Sequence, residues 1–254
     1  MILSKRQLGI LQSARQFGTV GIRDLAIELD VSHETIRRDI RQLIDRGELV
    51  KLRGAVRHPD AGREAPFERR LRENVEAKRR IARHAAAMVA DGDSVMMDTG
   101  TTTSIFAREL LTKRGLTVVT NSSDVARTLA TVNGNKVYMA GGELHGDNGA
   151  AFGRSACNFI AGFNVRHAVI SIAAVSVQSG LMDYHLDEAE FARIVLERGE
   201  RRTVLTDSTK FENTALVRVA GFDQVDLLIT DRMPSPAISS ALTEAGTRVE
   251  AVEG

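Results

Sequence analysis

Short apolar runs alternate with helical patterns throughout residues 91–254 of this 254-residue chain. Runs that favour β-strands lie at 94–97, 116–120, 136–140, 168–172, 203–206, 227–230 and 248–252. Helical periodicity fills the intervals near 102–113, 123–132, 154–163, 186–199 and 235–245. Repeated alternation of strand and helix is typical of a mostly parallel sheet that is covered by helices. The pattern therefore predicts an α/β fold with a Rossmann-like arrangement for this part of the chain.

Several of the predicted strands end in polar or glycine residues. In open α/β sheets, ligands bind beyond the carboxyl ends of the strands. The first such segment contains Asp98, Gly100, Thr101 and Thr102. Glycine lets the backbone turn closely there, and the start of the following helix offers free amides to an anion. An ordinary strand-to-helix turn with capping hydroxyls would contain the same residue types.

Later strand ends carry residues that suit a hydroxylated, anionic ligand. Asn121 can both donate and accept hydrogen bonds, and Lys210 supplies an ammonium group. The predicted effector contacts are Asp98, Gly100, Thr101, Thr102, Asn121, Gly141, Gly142, Asp183, Glu188, Asp207 and Lys210. Each has an ordinary alternative as a turn, a helix-start carboxylate or a surface ion pair. Their recurrence at one edge of one predicted sheet favours a pocket for a sugar-phosphate-like molecule.

The N-terminal segment contains three helical patterns followed by a short hairpin. The helices are predicted at residues 4–17 and 22–29 and from Ser32, which can cap the third helix. The third helix has an apolar stripe, formed by Ile36, Ile40, Leu43 and Ile44. Alternation over residues 48–58 predicts a β-hairpin that turns near Gly54. This succession indicates a winged helix-turn-helix.

Opposite its apolar stripe, the third helix presents groups that suit a DNA major groove. Thr35, Arg38 and Gln42 are predicted to read base edges. Phosphate contacts are expected mainly from Arg37, Arg41, Lys51 and Arg53, and Ser32 and His33 complete the predicted interface with double-stranded operator DNA. A solvated amphipathic helix beside a partnerless hairpin is the alternative, although a wing directly after such a helix favours DNA binding.

Charge divides the chain into two regions. Residues 1–90 contain 19 Lys and Arg against 12 Asp and Glu, whereas residues 91–254 contain 15 against 21. A basic end on an acidic body favours a polyanion-binding module joined to a domain with another task. The predicted organisation is a winged helix-turn-helix at 1–58, a polar linker at 59–76 and an α/β effector-sensing domain at 77–254.

Cofactor, metal and membrane sites have little support. The chain lacks a dinucleotide fingerprint and a phosphate-binding P-loop, its six histidines are scattered, and Cys157 is its only cysteine. We therefore expect no cofactor, no metal and no intrachain disulfide. No apolar run approaches the roughly 20 residues of a membrane span, and the N-terminus lacks a signal-peptide core, so we expect a cytoplasmic protein without membrane association.

Residues 32–43 resemble the helix-turn-helix signature of the DeoR family of bacterial transcription regulators. The matching residues are Ser32, Thr35, Ile36, Arg37, Arg38, Asp39, Ile40 and Leu43. Other similar segments are Asp98-x-Gly100-Thr101-Thr102, Thr120-Asn121, Gly141-Gly142 and Asp207-Ser208-x-Lys210-Phe211. The resemblance covers nearly the whole chain. Within the family, segments 183–185 and 207–211 look most like the members that regulate glycerol 3-phosphate use.

The resemblance implies a winged helix-turn-helix and a C-terminal sensor domain similar to sugar-phosphate isomerases. It further implies a repressor of a carbohydrate or polyol catabolic operon. The effector that relieves repression would be a phosphorylated sugar or polyol such as glycerol 3-phosphate. Members act as homo-oligomers, so a dimer or a tetramer is expected.

The chain departs from the family pattern at two places. The wing has Gly54-Ala55 where members often have two glycines. Residues 171–175, Ser-Ile-Ala-Ala-Val, replace a glycine-rich segment and leave the backbone less room near a ligand. Two other functions stay open: a sugar-phosphate isomerase-like enzyme or deaminase with a DNA-binding head, and an architectural DNA binder whose α/β domain only oligomerises. Acid–base groups for the enzyme would be Asp98, Asp183, Glu188 and Asp207.

Overall fold

The computed structural model describes residues 3–17, 19–52, 54–57, 59 and 64–252. The chain divides into two compact units, residues 1–65 and residues 66–254. The predicted boundaries differ, because residues 66–76, expected to be linker, belong to the second unit.

The first unit is a small three-helix, three-stranded fold. Its elements are α1 (Lys5–Phe17), β1 (Thr19–Gly21), α2 (Ile22–Glu28), α3 (His33–Asp45), β2 (Val50–Lys51) and β3 (Ala55–Arg57). β3 lies between β1 and β2 and pairs antiparallel with both. A helix-turn-helix followed by a β-hairpin is the predicted winged arrangement.

The core of the first unit consists of apolar side chains from all three helices and the wing. The fully buried members are Ile10, Ala14, Leu25, Ile36, Leu43 and Val56. The stripe predicted on α3 therefore forms its inward face. Burying an aliphatic side chain of this size contributes about 1.5–3 kcal/mol, so the stripe determines how α3 is oriented.

The second unit contains a larger set of alternating elements. These are α4 (Phe67–Arg72), α5 (Val75–Ala87), β4 (Ser94–Met97), α6 (Thr101–Glu109), β5 (Thr117–Thr120), α7 (Ser123–Leu129), β6 (Lys136–Met139), α8 (Arg154–Ala161), β7 (Val165–Ser171), β8 (Ala174–Ser176), β9 (Gly180–Asp183), α9 (Leu186–Glu197), β10 (Gly199–Leu205), β11 (Val217–Ala220), β12 (Leu227–Thr230), α10 (Pro236–Glu244) and β13 (Arg248–Ala251). Short 3₁₀ turns lie at Leu110–Thr112, Ser208–Lys210 and Phe222–Gln224.

Seven parallel strands form the main sheet in the order β13-β12-β10-β7-β4-β5-β6. The chain runs from β4 outward through β5 and β6, and then returns to place β7 on the other side of β4. The strand order therefore reverses between β4 and β7. A crevice beyond the carboxyl ends of strands at such a reversal is the usual ligand position in open α/β sheets.

Helices cover both faces of this sheet because its strands are apolar on both sides. In β4, Val95 and Met97 pack with α5, α6 and α7, whereas Met96 packs with α8, α9 and α10 on the opposite face. All three side chains are fully buried. The predicted parallel α/β class is thus confirmed, and each predicted strand overlaps an observed one.

Two features differ from the sequence prediction. A second, antiparallel sheet of order β11-β9-β8 was not predicted, because its three- and four-residue strands lack a helical crossover between β8 and β9. Asp183 ends β9 in this small sheet, so the expectation that it follows a strand of the main sheet is wrong. In addition, residues 67–72, which are expected to lie in the linker, form α4, and Asn74 adopts a left-handed conformation with φ 53° between α4 and α5.

Candidate functional site

The start of α3 is organised by Ser32. Its hydroxyl accepts a hydrogen bond from the amide of Thr35 at 3.2 Å, and the two hydroxyl oxygens lie 2.9 Å apart. This cap satisfies one of the free amides of the first turn and is typically worth about 1 kcal/mol. Beyond the cap, the side chains of His33, Arg37, Arg38, Arg41 and Gln42 are exposed, and Thr35 is half-buried. The polar face of α3 is therefore exposed in the first unit and available to a binding partner.

Two contacts with α1 limit what the polar face of α3 can do. The amide oxygen of Gln42 accepts a hydrogen bond from Nε2 of Gln7 at 2.7 Å. Reading adenine through two hydrogen bonds would require that oxygen as well as the amide nitrogen. Asp39 is buried and pairs with Nε of Arg6, a contact that raises the pKa of Arg6. Gln42 therefore holds α3 against α1, whereas Arg38 remains exposed.

The wing closes with one glycine. Gly54 has φ 75°, a left-handed conformation that glycine adopts without strain, and Leu52 N donates to Ala55 O at 3.0 Å across the turn. Ala55 begins β3, so its side chain does not prevent the hairpin. Lys51 and Arg57 are exposed on the two wing strands, and Arg53 lies outside the described residues.

In the second unit, Asp98 lies at the reversal of strand order. It follows β4, and its two carboxylate oxygens accept from the amide of Ser171, the last residue of β7, at 3.1 and 3.3 Å. Only 6% of Asp98 is exposed. Burial raises the pKa of Asp98 well above its usual range; the charge of Glu188 acts in the same direction, and hydrogen bonds from Ser171 and Thr103 oppose it.

The turn after Asp98 leaves little room for a side chain at position 100. A Cβ atom on Gly100 would lie 1.9 Å from Oγ of Ser171, which is far inside van der Waals contact. Gly100 caps α6, and Thr101 and Thr102 form its buried first turn. The first amides of a helix have no acceptor within the helix and point toward its N-terminal end. The strand, the glycine turn and the helix start on which the prediction of an anion site depends are therefore all present at this position.

Asn121 follows β5 and is fully buried. Its Nδ2 donates to Ala151 O at 3.0 Å, and its backbone carbonyl accepts from Ala151 N at 3.0 Å. Its Oδ1 is also buried but has no hydrogen-bond partner among the described residues. A buried acceptor without a partner costs about 1–3 kcal/mol, so this oxygen is suited to receive a donor such as a ligand hydroxyl.

Asp207 follows β10 and is occupied by protein donors. Its carboxylate accepts from the amide and the hydroxyl of Thr209 and from Nδ2 of Asn74 at 3.3 Å. Lys210, three residues further on, is half-buried. These contacts show Asp207 holding the short turn 208–210 and the residue between α4 and α5, in addition to any ligand role.

Lys78 is a buried cation that the sequence interpretation missed. It lies on α5 with only 3% of its surface exposed, and its ammonium donates to the carbonyl of Arg70. Burial lowers the pKa of Lys78 to about 8; Asp207 opposes this shift, and the charges of Lys210 and Arg70 add to it. Lys78 and Lys210 are thus close enough to interact electrostatically. A lysine within the apolar stripe of α5, three and four residues before Ile81 and Ala82, was the available signal.

The remaining predicted contacts have different surroundings. Glu188 accepts from Nδ2 of Asn148 at 3.0 Å, and Asp183 accepts from the amide of Ala173 at 3.1 Å. That amide also donates to the carbonyl of Met182, so the Ala173 backbone is engaged by the protein itself. Gly141 and Gly142 are exposed, and a Cβ on either would meet no described atom closer than 3.6 Å. The 3.6 Å neighbours of Gly142 are Ala151 and Phe152, and Ala151 is the residue whose carbonyl binds Nδ2 of Asn121.

The residues that do come together surround β4, β7 and β10. Asp98 and Asp207 follow strands on either side of β7. The charge of Glu188 raises the pKa of Asp98, and the charge of Lys210 lowers the pKa of Lys78. The described residues contain no group of three side chains suited to a metal ion. None of the helices in the described ranges is long and apolar enough to span a bilayer.

A winged helix with exposed arginines and a parallel α/β unit with a polar crevice define a helix-turn-helix transcription regulator with a sensor domain. The model of the DeoR-like helix-turn-helix domain matches residues 6–61, and that of the DeoR C terminal sensor domain matches residues 73–232. The chain belongs to the DeoR family. The resemblance noted in the sequence is thereby confirmed.

Named relatives match over almost their whole length. The glycerol-3-phosphate regulon repressor of Escherichia coli (strain K12) is 28% identical over 247 residues, which cover 97% of this chain and 98% of the relative. The transcriptional repressor CsqR of the same strain is 31% identical over 236 residues, with 93% and 90% covered. Among solved structures, ribose 5-phosphate isomerase A from Methanocaldococcus jannaschii shares 17% identity over 55% of each chain, with a TM-score of 0.40.

Proposed function

We propose that this DeoR-family protein represses a carbohydrate or polyol catabolic operon and is released from DNA by a phosphorylated sugar or polyol. The observation that carries the effector half is Lys78, an ammonium held in a nearly dry position beside Lys210 and the crevice of the main sheet. Burying a cation is unfavourable in free energy unless an anion pairs with it. The names of the E. coli relatives, two repressors, support the regulatory half.

In this proposal each group of the crevice has a distinct task. Lys78, Lys210 and the first amides of α6 bind the phosphate, because two cations and a helix N-terminus all favour a dianion. The unpaired Oδ1 of Asn121 accepts from a ligand hydroxyl. Asp98 and Glu188 meet the remaining hydroxyls. Asp183 and Asp207 chiefly position the surrounding backbone, as their present hydrogen bonds indicate.

For the DNA half, we propose that Arg38 and Thr35 read base edges. Arg37, Arg41, Lys51 and Arg53 bind phosphates, and Ser32 and His33 fix the start of the helix. Gln42 reads a base only if its amide oxygen leaves Gln7, so its task in this proposal is to position α3. We also propose a homo-oligomer of two or four copies, and the exposed aromatic side chains of Tyr138 and Phe159 near the β6 edge of the sheet support it.

The decisive experiment is calorimetry of the full-length protein with a panel of phosphorylated ligands. The panel contains glycerol 3-phosphate, ribose 5-phosphate, fructose 6-phosphate and glucose 6-phosphate, with glycerol as the unphosphorylated control. Replacing Lys78 by methionine removes the charge and keeps the length, and losing a charged hydrogen bond of about 1.5–3 kcal/mol predicts at least about tenfold weaker binding. Lys136→Met, at an exposed position, is the matched control. If the protein is folded and no member of the panel binds to it, the sensor proposal is contradicted.

An isomerase-like enzyme is not favoured by the contacts of its would-be acid–base groups. Asp98, Asp183 and Asp207 each accept hydrogen bonds from backbone amides of the protein. Incubating each panel member with the protein and following its interconversion by NMR tests the point directly. Turnover that Asp98→Asn abolishes while binding persists would reverse this ranking.

A further inference from the structure

The N-terminal end of α4 is held by a residue from a distant part of the chain. The backbone amide of Phe67 donates to both carboxylate oxygens of Asp147, at 3.1 and 3.2 Å. Nη2 of the Arg70 guanidinium, on the next turn of α4, lies 4.0 Å from the same carboxylate. Asp147 belongs to the segment between β6 and α8, residues 140–153, which we call the bridging loop. Asp147 thus acts as a cap supplied from 80 residues away.

The next residue of the bridging loop contacts the proposed effector site. Asn148 is buried, its Nδ2 donates to Oε1 of Glu188 at 3.0 Å, and its Oδ1 accepts from the amide of Ala150 at 3.2 Å. Glu188 in turn raises the pKa of Asp98 through its charge. Two neighbouring residues, 147 and 148, therefore contact α4 and the pocket respectively.

The other end of α4 is attached to the pocket as well. The ammonium of Lys78 donates to the carbonyl of Arg70, in the last turn of α4, and Lys78 is the buried cation assigned to the phosphate. One attachment of α4 is thus a side chain assigned to the ligand, and the other, Asp147, adjoins Asn148, which binds the proposed ligand group Glu188. α4 begins at Phe67, two residues after Ala65, where the first unit ends.

We infer that Asp147 and Asn148 couple the effector pocket to the start of α4, at the point where the chain leaves the DNA-binding unit. A ligand that bonds to Glu188 and Lys78 competes with their bonds to Asn148 and Arg70 and alters how firmly α4 is held. This inference rests on the proposed function. Asp147 is a positioning residue, because it touches α4 and none of the groups assigned to the ligand. Coupling of this kind requires that the ligand bind the two arrangements of α4 with different affinity.

The first arm of the test needs no ligand. Hydrogen–deuterium exchange of the full-length chain is followed in peptides that cover residues 66–72. Asp147→Ala should accelerate exchange in α4 by about tenfold or more, because a charge-assisted hydrogen bond is lost. Asp147→Asn keeps one accepting oxygen, so its exchange rate in α4 should lie between those of the wild type and Asp147→Ala. Glu143→Ala, an exposed acid in the same bridging loop, should match the wild type. Unchanged exchange in Asp147→Ala would overturn the role of Asp147.

The second arm adds a saturating concentration of the panel member that calorimetry shows to bind, with glycerol 3-phosphate as the first probe. In the wild type, exchange in α4 should change by about fivefold or more, the lower end of ordinary coupling energies. Asp147→Ala should keep the calorimetric affinity within about twofold and lose this response. A bound ligand that leaves wild-type α4 unaltered would overturn the coupling while the sensor proposal stands. If no panel member binds, both proposals fail, and calorimetry identifies that case separately.

Discussion

The recognition surface on α3 and the effector pocket of this protein place charged side chains in opposite environments. On α3, Arg37, Arg38 and Arg41 are exposed to water and follow one another along a single helix. In the crevice of the main sheet, Lys78 and Asp98 are almost fully buried and come from two different elements, α5 and the turn after β4. An exposed charge can therefore bind DNA directly. Burial, in contrast, has already shifted the pKa values of Lys78 and Asp98 toward their neutral forms, so these groups are suited to bind a partner inside the pocket.

This difference has consequences for how each site responds to solution conditions. Exposed guanidinium groups bind phosphates by displacing counterions, so contacts on α3 should weaken steeply with salt. Buried groups are screened little by salt, and their pKa values are shifted by burial. The DNA surface should therefore be sensitive to ionic strength, and the effector pocket should be sensitive to pH.

The largest effect expected is on the first unit alone. Leu43→Ala removes a fully buried side chain from the inward face of α3 and should lower the free energy of unfolding of that unit by about 2–5 kcal/mol. Because its core cluster contains only residues of the first unit, the second unit should keep its melting transition and its ligand affinity. Calorimetric unfolding of the full-length chain, together with ligand titration, checks both statements. Equal destabilisation of both transitions would show that the two units are not independent.

An intermediate effect is expected for base reading. Arg38→Ala should cost about 1–3 kcal/mol at one base position, and the preference at that position should relax. Lys51→Ala, a phosphate contact in the proposal, should weaken binding to all sequences alike and reduce the salt slope by about one. Duplexes selected from a random pool by the wild-type protein serve as probes for gel shifts at several salt concentrations. Unchanged base preference in Arg38→Ala would remove Arg38 from the readout.

The same comparison explains which parts could be predicted from sequence. The cap at Ser32 and the apolar stripe on α3 depend on residues within one helix, so local periodicity was sufficient. The seven main strands contain short apolar runs that alternate with helices, which made the parallel sheet equally predictable. The turn at Gly100 was also recognisable, although the nearby hydroxyl of Ser171, which limits the space there, belongs to the end of another strand, β7.

What the sequence did not predict depends on long-range contacts. The break at Asn74 is fixed partly by its bond to Asp207, which lies 133 residues away. The role of Lys78 depends on its burial against α4 and the turn after β10, because an exposed lysine at the same helical position would be unremarkable. Gln42 was assigned to DNA from its helical phase alone, and its partner Gln7 lies on another helix.

The smallest expected effect is on the pH dependence of ligand binding, which distinguishes the effector pocket most directly from the surface of α3. Burial lowers the pKa of Lys78 to about 8 in the free protein, and a bound phosphate dianion favours the ammonium form. The pKa of Lys78 in the complex is then higher than in the free protein, so binding takes up a proton above pH 8. Ligand affinity should fall as pH rises through this range, by at most about tenfold per pH unit. The phosphate itself, with a second pKa of about 6, keeps its charge there.

Stability of the ligand-free protein should change in the opposite direction. The pKa of an unfolded lysine is about 10.4, so between pH 8 and that value the unfolded chain binds more protons at Lys78 than the folded one. The stability of the second unit should therefore rise with pH across this interval through Lys78. Calorimetry with glycerol 3-phosphate and urea unfolding from pH 7 to 9.5, each as the difference between wild type and Lys78→Met, isolates both trends. If the wild type and Lys78→Met have parallel pH profiles, Lys78 is not the phosphate-binding cation. The effector pocket would then differ from the surface of α3 in burial but not in its chemistry.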